Sequence, residues 1–485
     1  MTPRRVVPIA ALAGLLAGTG CVHRMGEGRI APGTAPAPES AWTALPPAPP
    51  PAAAAPSPVP PAIPQDLQAL AKGFALNDLI DLALRTNPDT RAAWAAARAA
   101  AADLGSQRGA YYPTIFGQES SSRVKGSAVG GQFTFHSTTS NPSVVLNYLL
   151  LDFGGRKSAV EESRQALIAA DWAHNAAIQD AVLGVEQAYY QYLNARALEA
   201  AQQSAVKEAQ ASLDAASRRH DAGLSTIADV LQAKTALSQA QLGLEIAQGQ
   251  IQVIRGVLAT AVGVPANTPF EVEIPVQEVP LSQGIDEVDR LIEQAQARRP
   301  DLAEARALVL KAEAHVDRQR AQDRPTMTGS ANAGRIFYAP DYNFQDTYSL
   351  GFLLTVPIFN GLTYQYNVFK AQAEAETAKA RLESTQQQAI FQVWSGYYNQ
   401  KTATQRVLTT RDLLESAQQS FDVVSARYKA GVGSILDLLT AESALAGARA
   451  QETQARTDWF LAMAQLAHDT GTLWGPDPKT QGGEP

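Results

Sequence analysis

Asp221-Ala222-Gly223-Leu224-Ser225-Thr226-Ile227-Ala228-Asp229-Val230-Leu231 is answered later in the chain by Lys429-Ala430-Gly431-Val432-Gly433-Ser434-Ile435-Leu436-Asp437-Leu438-Leu439. Each copy reads as the end of one helix, a glycine turn, and a Ser or Thr that caps the next helix with an Asp three residues on. Further upstream, Val185-Glu186-Gln187-Ala188-Tyr189-Tyr190 answers Val393-Trp394-Ser395-Gly396-Tyr397-Tyr398. The spacing is the same for both pairs, since 393 − 185 = 208 and 431 − 223 = 208. One register held across two separate motifs marks an internal duplication, so the body of the chain is one unit written twice.

The duplication extends toward the start of each half. Asn87-Pro88-Asp89 answers Arg299-Pro300-Asp301, and Leu151-Asp152-Phe153-Gly154-Gly155 answers Ile358-Phe359-Asn360-Gly361. Each half then runs through a short helix, a Pro-Asp helix start, a strand pair, a long helix, the glycine turn and a second long helix. The boundaries predicted are a first repeat over 74–270, an inter-repeat linker over 271–285 and a second repeat over 286–472, with a C-terminal tail over 473–485.

The helices are predicted to be unusually long. From Lys157 to Arg219 there is no proline and one interior glycine, Gly184, among residues that favour helix. At ~1.5 Å per residue such a segment spans on the order of 90 Å, too long for a compact domain. Val182, Val185, Tyr189 and Leu193, and Phe421, Val424 and Tyr428, recur at helical spacing. Stripes of that length need partner helices along all of it, which points to antiparallel rods packed in coiled-coil fashion.

Strands are confined to two windows per half. Val144, Leu146, Tyr148 and Leu150 alternate with Ser143, Val145, Asn147 and Leu149; Leu350, Phe352, Leu354 and Val356 alternate with Ser349, Gly351, Leu353 and Thr355. Alternating segments of roughly ten residues fit the lipid-out, lumen-in pattern of an outer-membrane barrel. The Ser, Thr, Gly and Asn-rich stretches Ser120 to Ser140 and Tyr338 to Gln345 are predicted as the connecting loops. Four strands cannot close a barrel and an open sheet edge is not tolerated in hydrocarbon, so the chain must either oligomerise or keep its strands out of lipid.

Composition agrees with a folded, non-nucleic-acid-binding chain of 485 residues, 45% hydrophobic, 18% charged and with net charge −7. Residues 1–20 read as an export signal: Arg4 and Arg5, the apolar run from Val6 to Leu16, then Ala17 to Gly20. Cys21 follows directly and is the only cysteine, placed where a lipoprotein signal puts its acylated residue. Lipidation of Cys21 and a plain secretory cut nearby both remain open, because Gly18 stands where lipoprotein signals usually carry Leu. A tether over 21–73, rich in Pro and Ala between Ala31 and Pro64, joins this start to the body. No later stretch reaches the ~18 to 20 apolar residues of a membrane-spanning helix, so any crossing must be made by strands.

In their order, repetition and spacing these motifs resemble the outer-membrane efflux family typified by TolC, from about Phe74 to Gly471. The resemblance implies a mainly α protomer with a small β portion. Three protomers would pool about four strands each into one transmembrane β-barrel, continuous with an α-barrel of long antiparallel helices in the periplasm. It further implies that the turns Gly223, Leu224, Ser225 and Gly431, Val432, Gly433, Ser434 form the periplasmic tip, where a membrane-fusion adaptor docks. An inner-membrane pump of the resistance-nodulation-division or ABC type would supply the energy, and the N-terminal Cys21 and tether look more like the former branch.

Asp229 and Asp437 have two compatible readings: acidic residues in the first turn of a capped helix, or six carboxylates per trimer converging on a narrow, cation-favouring pore. Tyr428 falls where the family places an aromatic that hydrogen-bonds across to the neighbouring tip and helps keep it shut, with Asp229 as the matching acceptor. The sequence departs from the family's type member at Gly433, which carries an arginine lock there, and at Thr440, where that protein has a further aspartate. The closed state would then rest on fewer charged contacts.

No catalytic, metal or cofactor constellation is legible. His23, His136, His174, His220, His315 and His468 are scattered without the pairing of a zinc site, and there is no phosphate-binding loop. Two other classes compete with a channel. A periplasmic adaptor would need extra β-rich domains for which the helical halves leave no room, and a soluble coiled-coil scaffold has no use for the alternating strands or the export signal.

Overall fold

The computed structural model describes Glu39 and residues 73–268, 271–274, 279–280, 287–339 and 343–473. The export signal, Cys21, the tether before residue 73 and the tail beyond residue 473 lie outside the described residues.

Among the described residues twelve elements follow one another: α1 Leu76–Thr86, α2 Pro88–Gly109, β1 Thr114–Ala128, β2 Phe133–Leu151, α3 Gly155–Asp221 and α4 Ile227–Val262, then α5 Val288–Arg298, α6 Pro300–Ala321, β3 Thr326–Ala339, β4 Asn343–Thr355, α7 Thr363–Lys429 and α8 Ile435–Asp469. The second six repeat the first six in kind and order. α3 and α7 are both 67 residues long and begin 208 positions apart, Gly155 and Thr363. α4 and α8 begin at the same offset, Ile227 and Ile435.

Packing repeats with the sequence. Val185 and Val393 are both fully buried, and the equivalent pairs Ala195 and Ala403, Ala209 and Ala417, Leu237 and Leu445, and Leu258 and Leu466 are all core residues. Alanine dominates these interfaces. Its small side chain lets the rods approach closely along their whole length, so a thin core is spread over a long molecule. α3 packs against α4 and α7 against α8, while α3 also packs along α2, α6 and α8.

The Pro-Asp motifs are structural joints. Asn87 Oδ1 accepts from the backbone N–H groups of Asp89 and Thr90, with Pro88 at the first helical position of α2. Asn87 Nδ2 and Thr86 Oγ1 donate to the carbonyls of Ala261 and Val262 at the end of α4. In the second repeat Arg299 Nη1 does the same for the Asp469 carbonyl at the end of α8. Gly263 and Gly471, at φ +89° and +72°, close these joints, and a Cβ on Gly263 would lie 2.8 Å from Asn87 backbone atoms. The described parts of the inter-repeat segment are tied to the body: Phe74 exchanges backbone hydrogen bonds with Glu271 and Glu273.

The four strands form one antiparallel sheet in the order β1-β2-β3-β4. β1 and β2 are longer than their alternation predicts, and most of the stretch from Ser120 to Ser140, expected as a loop, is strand, with the turn confined to residues 129–132. Cross-strand pairing explains it: Arg123 faces Thr138 and Gly126 faces Phe135, whose ring covers the glycine. Polar residues on both faces remove the alternation that would mark a strand with one apolar side. Likewise Tyr338, Ala339, Asn343, Phe344 and Gln345 belong to β3 and β4.

Candidate functional site

Two regions of the protomer carry chemistry: the sheet at one end and the helix turns at the other.

Paired residues in an antiparallel sheet project to the same face. Ile115, Leu146, Ala331 and Leu350 therefore form one row, with Val144, Ala333 and Tyr348 on one side of it and Tyr148, Gly329 and Phe352 on the other. The opposite face carries Ser143, Asn147, Thr328, Ser330, Asn332, Thr347 and Ser349, interrupted by Phe116, Val145, Leu149 and Leu353. One face is thus apolar and the other largely neutral polar. The apolar face ends at a charged row, where Arg335 Nε and Asp346 Oδ1 pair at 2.6 Å and Glu119 faces Pro142. From Asp346 to the end of β4 at Thr355 is about 30 Å of strand at ~3.4 Å per residue, or roughly 23 Å along a bilayer normal at a tilt near 40°. That matches the ~25 Å apolar band of an outer-membrane barrel.

The band ends where the strands meet the helices. α3 and α7 are each entered through two successive left-handed residues, Phe153-Gly154 and Gly361-Leu362. Phe153 at φ 48° and Leu362 at φ 69° accept strain there to turn the chain sharply from sheet to rod. No helix among the described residues is long and apolar enough to cross a membrane.

At the far end the two tips are built alike. Gly223 (φ +72°) and Gly431 (φ +81°) take the left-handed conformation that terminates α3 and α7. Leu224 N then donates to Arg219 O, and Val432 N to Arg427 O. Leu224 and Val432, equivalent at the 208-residue offset, stand 70% and 69% exposed at the extremity. Ser225 is held back, its Oγ donating to Ala216 O. Thr226 Oγ1 and Ser434 Oγ cap α4 and α8 by accepting from Asp229 N and Asp437 N. Asp229 is half-buried and Asp437 exposed, so both aspartates sit in first helical turns at the tip.

Tyr428 stands in the last turn of α7, inside the tip. It is only 3% exposed and joins Ala216 and Ala233 of one hairpin to Ile435 and Leu438 of the other. Its hydroxyl is buried with no hydrogen-bond partner among the described residues, and Asp229 turns its carboxylate to Thr226 N instead. The Tyr428–Asp229 hydrogen bond implied by the family resemblance is therefore not made within the protomer. Burial pushes the Tyr428 hydroxyl pKa up; the charge of Arg219 opposes this and that of Asp229 adds to it. Gly433 is enclosed as well, since a Cβ there would lie 2.9 Å from Tyr428 N. The turn as folded has no room for the family's arginine at this position.

Sequence reasoning missed Arg219, whose role depends on the other hairpin. It also missed a polar seam between α3 and α8. Asp180 pairs with His468 Nε2 at 2.9 Å, Gln187 with Gln465, Asn194 with Gln454, Glu208 with Arg449 at 2.9 Å, and Ser212 with Glu442. Burial pushes the His468 imidazole down, but hydrogen bonds to Asp180 and Asp469 and the charges of both outweigh it and hold the pKa at about 9. Among the described residues no three His, Cys, Asp or Glu side chains converge to hold a metal ion.

Comparison with known proteins fits this geometry. The outer membrane efflux protein family model matches residues 79–264 and 291–472, one segment per repeat. Protein CyaE of Bordetella pertussis is 30% identical over 423 residues, covering 84% of this chain and 87% of that protein. The probable efflux pump outer membrane protein TtgC of Pseudomonas putida is 27% identical over 411 residues, covering 80% and 82%. Among solved structures, the outer-membrane channel OprN superposes with a TM-score of 0.75 at 21% identity, covering 82% of this chain and 89% of that one. The outer membrane protein VceC of Vibrio cholerae superposes with a TM-score of 0.73 at 23% identity, covering 82% and 96%. With both repeats matched and the sheet and rods in register, this chain belongs to the outer membrane efflux protein family.

Proposed function

We propose that this chain is the protomer of an outer-membrane exit duct, through which substrates delivered by an inner-membrane pump leave the cell. The observation that carries the reading is the two-faced sheet: an apolar band of bilayer height on one side and a neutral polar surface on the other, continued by rods on the order of 100 Å long.

The outer edges of β1 and β4 lack strand partners among the described residues. Three copies supplying four strands each close a barrel and remove those edges, so a homotrimer is the assembly proposed. The lumen face, with Ser143, Asn147, Ser330, Asn332 and Ser349, carries no charge in these rows and suits cargo of many kinds. Discrimination then belongs to the pump, of the resistance-nodulation-division or ABC type, and to the tip.

The exposed Leu224 and Val432, with Ile227 and Leu436 beside them, offer an apolar end surface for a periplasmic membrane-fusion adaptor. Asp229 and Asp437 place carboxylates at the same end, where a trimer would gather six. Acylation of Cys21 would add a lipid anchor in the outer membrane. Cell fractionation tests the whole reading: the protein is expected in the outer membrane, migrating as a trimer in unheated detergent gels and as a monomer after boiling. Recovery in the soluble periplasmic fraction would favour the coiled-coil scaffold.

A further inference from the structure

The two hairpins of the protomer meet at their tips through a contact that no family expectation assigned. Arg219, near the end of α3, sets its guanidinium 4.9 Å from the centroid of the Tyr428 ring and donates from Nη1 to the Tyr428 carbonyl at 2.8 Å. One side chain of the first repeat thus grips both the ring and the backbone of the last turn of α7. Tyr428 cannot retreat from it: its ring is buried against Ala216, Ala233, Ile435 and Leu438, and Gly433 closes over its backbone.

The contact lies at the end of the polar α3–α8 seam, beyond Ser212–Glu442. The seam joins the hairpins through polar pairs that water can replace one at a time, so it is the surface along which the second hairpin can part from the first. A cation over a largely buried ring is held more strongly than one over an exposed ring. It acts where the lever is longest, at the tip.

Resting on the duct reading above, we infer that Arg219 is the positioning residue that keeps the tip narrow, by clamping the Tyr428 ring and carbonyl, and that the Tyr428 hydroxyl takes no part. The clamp stands in for the arginine that Gly433 excludes. A substitution that removes the guanidinium frees the second hairpin to swing outward. One that removes only the hydroxyl is expected to change nothing, since that oxygen has no hydrogen-bond partner among the described residues.

Single-channel recording in planar bilayers distinguishes these outcomes. Arg219→Ala is expected to raise unitary conductance severalfold over the unmodified protein, Arg219→Lys to fall between, and Tyr428→Phe to match the unmodified protein. Each variant is compared at an equal fraction of heat-modifiable trimer, a measure that a general folding defect would lower and the loss of a clamp would not. Should Arg219→Phe also be needed because Arg219→Ala assembles poorly, it fills the space without the charge and is expected to conduct like Arg219→Ala. Unchanged conductance in assembled Arg219→Ala or Arg219→Phe trimers would overturn the inference, as would a rise in Tyr428→Phe equal to that in Arg219→Ala. If the unmodified protein itself gave no current, the duct reading would fail, a result separate from either.

Discussion

Asp229 Oδ2 accepts from Thr226 N at 3.2 Å, completing a reciprocal cap at the first tip that Asp437, bonded to Ser434 only through its backbone N–H, does not complete at the second. The two aspartates are equivalent in sequence yet differ in what they have left to offer an ion.

Asp229→Ala should therefore cost the first tip about 1 kcal/mol, read as faster amide exchange at the start of α4. Asp437→Ala should leave exchange at α8 nearly unchanged but lower cation selectivity more than Asp229→Ala does, measured as the reversal potential in a salt gradient. Equal effects of both substitutions on both readouts would show that the caps do not separate the two roles.

Gly471, like its counterpart Gly263, holds a left-handed conformation against a helix start, with a Cβ position 3.0 Å from the Arg298 carbonyl carbon. Gly471→Ala should cost roughly 2 to 3 kcal/mol from strain and close contact combined. The expected outcome is a clear drop in the denaturant midpoint of the detergent-solubilised protein, while Gly249→Ala, in open space within a helix, should be neutral or slightly stabilising.

The face assignment of the sheet gives a paired test. Leu350→Arg places a cation in the apolar band and should oppose insertion by about 2 to 4 kcal/mol. Ser349→Arg, one residue away on the other face, should insert normally. Yield of heat-modifiable trimer in outer-membrane fractions measures both, and similar losses from both would mean that the faces are not distinguished by lipid.

The seam at His468 should make stability depend on pH. Its pKa, held at about 9, lies above the ordinary 6.5, so the folded state binds the proton more tightly than the unfolded chain. The stabilisation is complete below pH 6.5 and is lost as pH rises toward 9, by about 3 kcal/mol at most. Asp171 contributes a loss with the same sign at lower pH: burial, with no hydrogen-bond partner among the described residues, pushes its carboxyl up to about 8, so the folded state is penalised increasingly from pH 4 to 8. Unfolding midpoints across pH should flatten between 8 and 9 in His468→Gln and between 4 and 6.5 in Asp171→Asn, while between 6.5 and 8, where both groups act, each variant keeps the slope of the group it retains.

Much of this was written in the sequence, and what was missed has a physical cause. The 208-residue register predicted two equal rods because burial at Val185 and Val393, or Leu237 and Leu445, imposes the same helical period twice. Leu350, Phe352 and Leu354 announced a strand because they alternate with their neighbours on one apolar face, whereas Ser120 to Ser140 concealed one because both faces there are polar. Turn glycines and caps at Gly223, Gly431, Thr226 and Ser434 were legible, being local chemistry. The clamp was not: Arg219 and Tyr428 are 209 positions apart, and neither carries a local signal of the other.

The most direct measurement is the current carried across a planar bilayer by the purified, unheated trimer under a KCl gradient. A duct closed at its tip by clamped hairpins and lined there by carboxylates predicts discrete, small unitary steps with a reversal potential on the cation-selective side. Trimers that insert but pass no steps, or steps without cation preference at any salt concentration, would contradict the account.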